Sequence, residues 1–282
     1  MKSSEIQAEF ATYRPKEYWT GVASGKSSSD ATGFAPVLHP DAPAWFNQLI
    51  DDLQFRAVRR ALLLGDVRSG ASVLDVGCGT GRWLRRYIQM GLHATGVDAT
   101  PPMLRLALER GTEAPVVAGV AQNLPFADAR FDCVSDITVV QHIPTALQID
   151  ALGEMVRVLK PGGRLILMEL IRGEGIHVFP RNPLDWIEQV ASRGARLLGW
   201  FGQEFLVPDR LFVRAARAIA SSERGAGLPL EHKSRRTPIA RRAYWAIRRV
   251  TAPLSGWIDP AVAKVIPGKM ATHGVFVFQK ES

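Results

Sequence analysis

The chain has 282 residues, 46% of them hydrophobic and 22% charged, and carries a formal net charge of +8. This is an ordinary soluble composition, long enough for one large domain with an elaborate appendage. A secreted, membrane-spanning, disulfide-framed or zinc-finger chain is not expected: the opening MKSSEIQAEFATYRPKEYW has no apolar signal core, no run of about 18 apolar residues occurs, and Cys78 and Cys133 alone favour a reducing cytoplasm.

Residues 1–20 set Tyr13, Tyr18 and Trp19 in a polar background, and 21–33, GVASGKSSSDATG, read as a flexible loop. Its GKS is not a phosphate-binding loop, because Thr20 stands where that motif needs its first glycine. From Asp41, a candidate N-cap with Pro43 in the first turn, Trp45, Leu49, Leu53, Val58, Leu62 and Leu63 recur at helical spacing until Gly65. From Ser72 the rhythm changes. Strand-like runs SVLDVG, HATGVDA, PVVAGV, FDCVSDI and RLILMELI alternate with helical patterns over 81–90, 101–110 and 145–159. That alternation predicts a parallel sheet with helices on both faces. A helix pattern after Pro183 leads to ARLLGWFG, a sixth strand, and HGVFVFQK closes the chain as a last one. The expectation is one α/β domain, a three-layer α/β/α sandwich on a seven-stranded, mostly parallel sheet. Residues 1–70 form an N-terminal helical lid and helices, 71–204 the core, 205–270 a basic helical cap, and 271–282 the final strand.

The glycine-rich turn after the first strand carries the chemistry. In LDVGCGTG a strand, a tight turn and a helix start follow one another, which places backbone N–H groups at the strand's carboxyl end. A dinucleotide loop would need a glycine where Arg82 stands, and a phosphate loop would need Gly-Lys-Ser/Thr. The remaining spacing, with Asp75, Gly77, Gly79 and Gly81, resembles the S-adenosylmethionine (SAM) loop of class I methyltransferases. Asp98, at the end of the second strand in ATGVDAT, matches the acid that chelates the ribose hydroxyls there. NLPF at 123–126, FDCVSDI at 131–137, VVQHI at 139–143 and VLKPGGRLIL at 158–167 match later family segments in order. The resemblance is to the small-molecule branch, of the methyltransferase type 11 kind, and covers 71–171 in full.

That resemblance implies SAM or its product S-adenosylhomocysteine as cofactor, with no metal. It implies contacts from Asp75, Gly77, Cys78, Gly79 and Gly81, then Asp98, Ala99 and Met103, then Ala121, Gln122 and Asn123. Asp136, Ile137 and Gln141 follow strand four, and Tyr18 and Trp19 belong to an aromatic lid, with Arg14 toward the ligand carboxylate. Cys78 packs beneath the ligand, and Cys133 is a core residue. One position departs: Val120 stands where the family carries the acid that receives the adenine amino group. It leaves open a SAM-binding protein without methyl transfer, regulatory or repurposed.

Methyl transfer to a hydroxyl needs a proton acceptor. The candidates near the strand ends are Asp136, Gln141, His142 and Glu169, with Arg172 and His177 beyond strand five. The expected acceptor is a small molecule (a glycan, lipid or secondary metabolite), methylated at oxygen. Thirteen Lys and Arg against four acids between Val190 and Val250 concentrate the positive charge in one region. Two helical patterns there place Leu211, Ala215 and Ile219 opposite Arg210, Arg214 and Arg217, and Ile239, Ala243, Ile247 and Val250 opposite Arg241, Arg242, Arg248 and Arg249, with Trp245 at the boundary. They read first as a cap with a solvated basic face. Peripheral contact with an anionic inner membrane face comes next. Nucleic acid is disfavoured, since the chain carries no recognisable RNA-binding module or Asn/Asp-Pro-Pro-Tyr motif.

Overall fold

A strand whose two faces both meet helices buries nearly every side chain, and that is what the central runs do. In the computed structural model, which describes residues 14–25, 38, 42–173, 177–205, 244–254, 257–258 and 268–282, β1 (Ser72–Val76) and β4 (Phe131–Ile137) expose almost nothing. With β2 (His93–Asp98), β3 (Val116–Ala118), β5 (Leu159–Leu170), β6 (Ala195–Gln203) and β7 (His273–Lys280) they form a seven-stranded sheet. The order is β3-β2-β1-β4-β5-β7-β6, parallel from β3 to β5, with β7 antiparallel to both neighbours. The chain winds outward from β1 to β3, then returns to β4 beside β1. That reversal opens a crevice at the carboxyl ends of β1 and β4, where α/β sheets bind ligands. The Pro-Gly-Gly segment is absorbed into β5 as a register shift: Phe131 opposes Leu159, yet Cys133 opposes Arg164.

Helices cover the two faces as separate cores. One face packs α2 (Ala44–Leu64), α3 (Arg82–Gln89) and α4 (Pro101–Glu109) through Val58, Leu62, Leu84, Tyr87 and Leu104. The other packs α5 (Thr145–Val158) and α6 (Pro183–Ala191) through Leu152, Met155, Trp186 and Val190. Asn182 caps α6 by accepting from the Leu184 and Asp185 N–H groups, and Trp186 donates its indole N–H to the Leu170 carbonyl. A short helix, α1 (Pro15–Ser24), precedes them and packs on α4.

Several expectations need correction. Residues 21–24 belong to α1, so the polar stretch is not all loop. Pro43 is the residue preceding α2, while Asp41 lies outside the described residues. Leu63 is 77% exposed, because Val58, Ala61 and Leu62 already fill the inward stripe. The largest change is in the cap. The pattern over 210–219 lies outside the described residues. The helix over 244–254, however, is turned over relative to its expected orientation. Arg248 lies 4.4 Å over the Phe46 ring, packed inward, while Ile247 and Val250 are 44% and 69% exposed. The cause is a satellite core, in which Trp45, Phe46, Ile50 and Leu53 of α2 receive Trp245 and Ala252.

Candidate functional site

The glycine loop runs from β1 into α3. Gly77, Gly79 and Gly81 take φ of +67°, +52° and +72°, left-handed values that glycine adopts at little cost. The N–H groups of Gly77 and Cys78 both donate to the Val97 carbonyl, at 2.7 and 3.0 Å, which clamps the turn onto the end of β2. A Cβ on Gly77 would stand 2.5 Å from both methyls of Val139, so the loop and the segment after β4 approach as closely as backbone permits. Cys78 points down instead, buried against Gly96, and burial pushes its thiol well above the usual range. It packs as a small apolar residue beneath the loop.

Two acids flank this turn. Asp98 accepts from the Gly79 N–H at 2.9 Å and the Thr100 N–H at 2.8 Å, so it ties the loop to the start of α4. Burial raises its pKa, and the two backbone donors oppose the rise. Ala99 is half-buried and Met103 fully buried beside it. Asp75 is buried, and one carboxylate oxygen accepts from the Ser135 hydroxyl at 3.0 Å. Its other oxygen has no hydrogen-bond partner among the described residues. Desolvation pushes Asp75 up to about 7 against the pull of Ser135 and Arg82.

The far wall is the turn after β4. Thr138 takes φ of +62°, uncommon for a β-branched residue, and sends the chain sharply off the strand. A 3-10 turn over Val140–His142 follows. Glu169, on the neighbouring strand β5, accepts the N–H groups of Val139, Val140 and Gln141 at 2.8–3.0 Å. Asp136 faces Glu169 beneath this turn, fully buried, and Ile137 is buried beside it. Burial and mutual repulsion make the two carboxyls retain one proton near neutrality, and Asp136 is pushed up to about 7. Burial and the neighbouring Asp136 carboxyl push Glu169 well above its usual range as well, although three backbone N–H groups donate to it.

The turn presents His142 in a defined tautomer. Its Nδ1 lies 2.8 Å from the His177 carbonyl, which can only accept, so Nδ1 carries the hydrogen. Its Nε2 lies 3.4 Å from the amide nitrogen of Gln141, whose oxygen in turn accepts from the Leu170 N–H at 2.8 Å. Desolvation pushes His142 down to about 4, so it is neutral, with no hydrogen on Nε2. Around it Trp19 makes an edge contact at 5.1 Å, the His177 ring stacks at 5.3 Å, and Tyr18 stacks on His177 at 4.6 Å. The lid aromatics and both histidines, 159 residues apart in the case of Tyr18 and His177, therefore form one cluster over the carboxyl edge.

The segment after β3 is a tight turn. The Asn123 N–H donates to the Val120 carbonyl at 3.1 Å; Ala121 is buried, Gln122 half-buried and Asn123 exposed. Val120 is 45% exposed, an apolar side chain where the family carries an acid.

A buried polar chain escaped the sequence reading. Asp51 pairs with Arg82 at 2.8 Å and also with Arg86, Arg82 donates to Gln54 at 2.9 Å, and Gln54 donates to Glu204 at 3.3 Å. Glu204 lies 3.1 Å from His273. The chain links α2, the residue after the glycine loop, and the ends of β6 and β7. One signal was present: Asn47, Asp51 and Gln54 occupy the inward stripe of α2, where apolar residues were expected. Their partners are as many as 150 residues away, which no local pattern records.

Comparison with known proteins agrees with this geometry. A family model described as a methyltransferase domain matches residues 74–167. The Mus musculus protein named probable tRNA methyltransferase 9B is 40% identical over 118 residues, 41% of this chain and 26% of its own. This chain thus spans about a quarter of the length of the tRNA methyltransferase relatives it matches. A demethylmenaquinone methyltransferase of Thermobifida fusca is 30% identical over 208 residues, 67% of this chain and 82% of that protein. Among solved structures, the complex between the Haloferax volcanii Trm112 methyltransferase activator and a methyltransferase aligns with a TM-score of 0.56 at 16% identity, covering 96% of this chain and 100% of the other, a likeness of fold. Seven strands in this order, the glycine loop, the family match and a relative covered over most of its length together assign the chain to the class I SAM-dependent methyltransferases.

Proposed function

We propose that this protein transfers a methyl group from SAM to a hydroxyl of a small acceptor that is lipid-like, glycan-bearing or a secondary metabolite, with His142 taking the proton. The loop residues suit the cofactor. Three left-handed glycines leave a cradle without side chains, and the unpartnered, buried oxygen of Asp75 suits the cofactor's ammonium group. The Asp98 carboxylate keeps acceptor capacity for a ribose hydroxyl beyond its bonds from the Gly79 and Thr100 N–H groups and the Thr100 hydroxyl. The backbone of Ala121 and the side chain of Gln122 would take the adenine. Arg14, Tyr18 and Trp19 close from above.

Bound SAM supplies a methyl carbon made electrophilic by its sulfonium. The acceptor oxygen would take that methyl group with release of the thioether product, and Nε2 of His142 would take the acceptor proton. Gln141 occupies that nitrogen at 3.4 Å, a long contact that a hydroxyl can displace. Glu169 holds the turn in place, and the Trp19, Tyr18 and His177 rings exclude water.

The observation that carries this reading is a neutral, tautomer-fixed His142 inside an aromatic enclosure at the carboxyl edge. His142→Ala should lower kcat by about 10²–10⁴, the usual contribution of a positioned proton acceptor, with S-adenosylhomocysteine affinity unchanged. An unchanged kcat would end the assignment, and binding without transfer across a hydroxyl panel would favour the SAM-binding alternative that Val120 suggests.

A second reading, methylation of RNA, rests on the tRNA methyltransferase name of a relative 40% identical over its aligned segment, and on the local positive charge. Transfer of labelled methyl to bulk tRNA, and not to hydroxyl acceptors, would select it.

A further inference from the structure

The rings over the carboxyl edge meet at defined angles. Tyr18, His177 and His142 form a ladder of nearly parallel planes: Tyr18 and His177 lie 4.6 Å apart at 22°, and His177 and His142 lie 5.3 Å apart at 10°. Trp19 stands across this ladder, at 89° to Tyr18 and 80° to His142, with centroids 5.2 and 5.1 Å away. All of these rings are half-buried, so none is sealed in the core. The bond from Nδ1 of His142 to the His177 carbonyl, at 2.8 Å, fixes the plane of the imidazole.

We propose that the acceptor is a planar aromatic hydroxyl, a phenol or naphthol, whose ring lies along this ladder with its oxygen at Nε2 of His142. The acceptor class rests on the proposed hydroxyl transfer and narrows it. The lone pair of Nε2 lies in the imidazole plane. A flat acceptor bonded in that plane runs parallel to His177 and Tyr18 and at right angles to Trp19. Those are the offset-stacked and edge-to-face arrangements that aromatic pairs prefer. A puckered sugar or a saturated chain has no plane to offer them. A quaternary ammonium ligand needs ring faces turned toward one centre, whereas successive rings of this ladder face along one direction.

The strength of the base points the same way. Desolvation pushes His142 down to about 4; the bond to the His177 carbonyl opposes the fall, and the charged forms of His177 and His273 would add to it. A phenol ionises near ~10, as tyrosine does, whereas an aliphatic hydroxyl ionises near the ~16 of water. The mismatch with His142 is therefore about 6 pH units for a phenol and about 12 for an alcohol, and a weak base suits the more acidic hydroxyl. The phenol oxygen would take the methyl group and Nε2 its proton. An aryl methyl ether, the thioether product and an imidazolium then balance the atoms and the charge.

The test compares 2-naphthol with decahydro-2-naphthol, which share a carbon skeleton and one hydroxyl, though only the first is flat. Calorimetry with the full chain should show 2-naphthol binding at least about tenfold tighter. Trp19→Leu keeps apolar bulk and should erase most of that preference, and Trp19→Phe, which restores a ring, should recover it. With labelled methyl, wild-type transfer to 2-naphthol should be at least about 10²-fold faster than to the saturated alcohol. Equal binding of the two compounds, or a preference that Trp19→Leu leaves intact, overturns the aromatic acceptor. Faster transfer to the saturated alcohol also overturns it and leaves the hydroxyl reading standing. Tetramethylammonium binding tighter than 2-naphthol would make the rings a cation cage and overturn it as well. Preferential binding of 2-naphthol with transfer to neither compound supports the aromatic site while overturning the transfer reading.

Discussion

Asp98→Asn separates two tasks that one carboxylate performs. Asp98 ties Gly79 and Thr100 to each other through N–H bonds of 2.9 and 2.8 Å, and in the proposed function it also holds the ribose. Asparagine keeps one acceptor oxygen but sets an NH₂ against the second N–H. One charge-assisted bond is lost and the other becomes neutral, which costs about 2–3 kcal/mol in the free protein. In a domain of this size that lowers Tm by about 4–10 °C. Affinity should also fall, by about 10–100-fold, as the ribose hydroxyls lose a charged acceptor. Calorimetry with two ligands resolves the parts. S-adenosylhomocysteine carries the amino-acid group, whereas 5′-methylthioadenosine keeps the ribose and adenine without it. Asp98→Asn should weaken both by similar factors, and Asp75→Asn only the first. A lowered Tm with unchanged affinity for both ligands would refute the ribose role and leave Asp98 as a loop tether.

Three further outcomes follow from the same geometry. Gly77→Ala should cost about 1–3 kcal/mol from its left-handed φ and should weaken S-adenosylhomocysteine binding through the clash with Val139; Gly70→Ala, at φ +86° with nothing within 4 Å, should show the stability loss alone. Asp75, pushed up to about 7 by burial, must ionise to receive an ammonium group, so wild-type affinity should rise between pH 6 and 8 by up to about tenfold per unit below 7. In the free protein the sign is reversed, since a raised carboxyl pKa makes Asp75 lose stabilising effect as pH rises; Asp75→Asn should remove its share of both slopes, and identical slopes would count against it. Arg82→Ala should destabilise by about 1–3 kcal/mol in urea unfolding, because it leaves the fully buried Asp51 with Arg86 alone and the Gln54 oxygen without its donor; no measurable loss would mean that water replaces the guanidinium.

The sequence by itself determined the strands from β1 to β5, the glycine loop, and the acids at the ends of β1 and β2. These are local signals: periodicity, turn chemistry and the spacing of Asp75 and Asp98 act within a few residues or one βαβ unit. Tertiary structure decided the rest. Glu169 became the cap of the His142 turn because β5 lies beside β4, and Tyr18 met His177 because α1 crosses the carboxyl edge. Asp51 and Gln54 were legible only as misplaced polar residues, since their partners arrive from α3 and from the end of β6. The helix over 244–254 shows the reason most plainly. Its sequence is amphipathic, but which side faces inward depends on a socket of Phe46 and Trp45 whose aromatic rings accept Arg248 and Trp245. A local pattern records that two faces differ; the surface that waits for one of them is set by the fold.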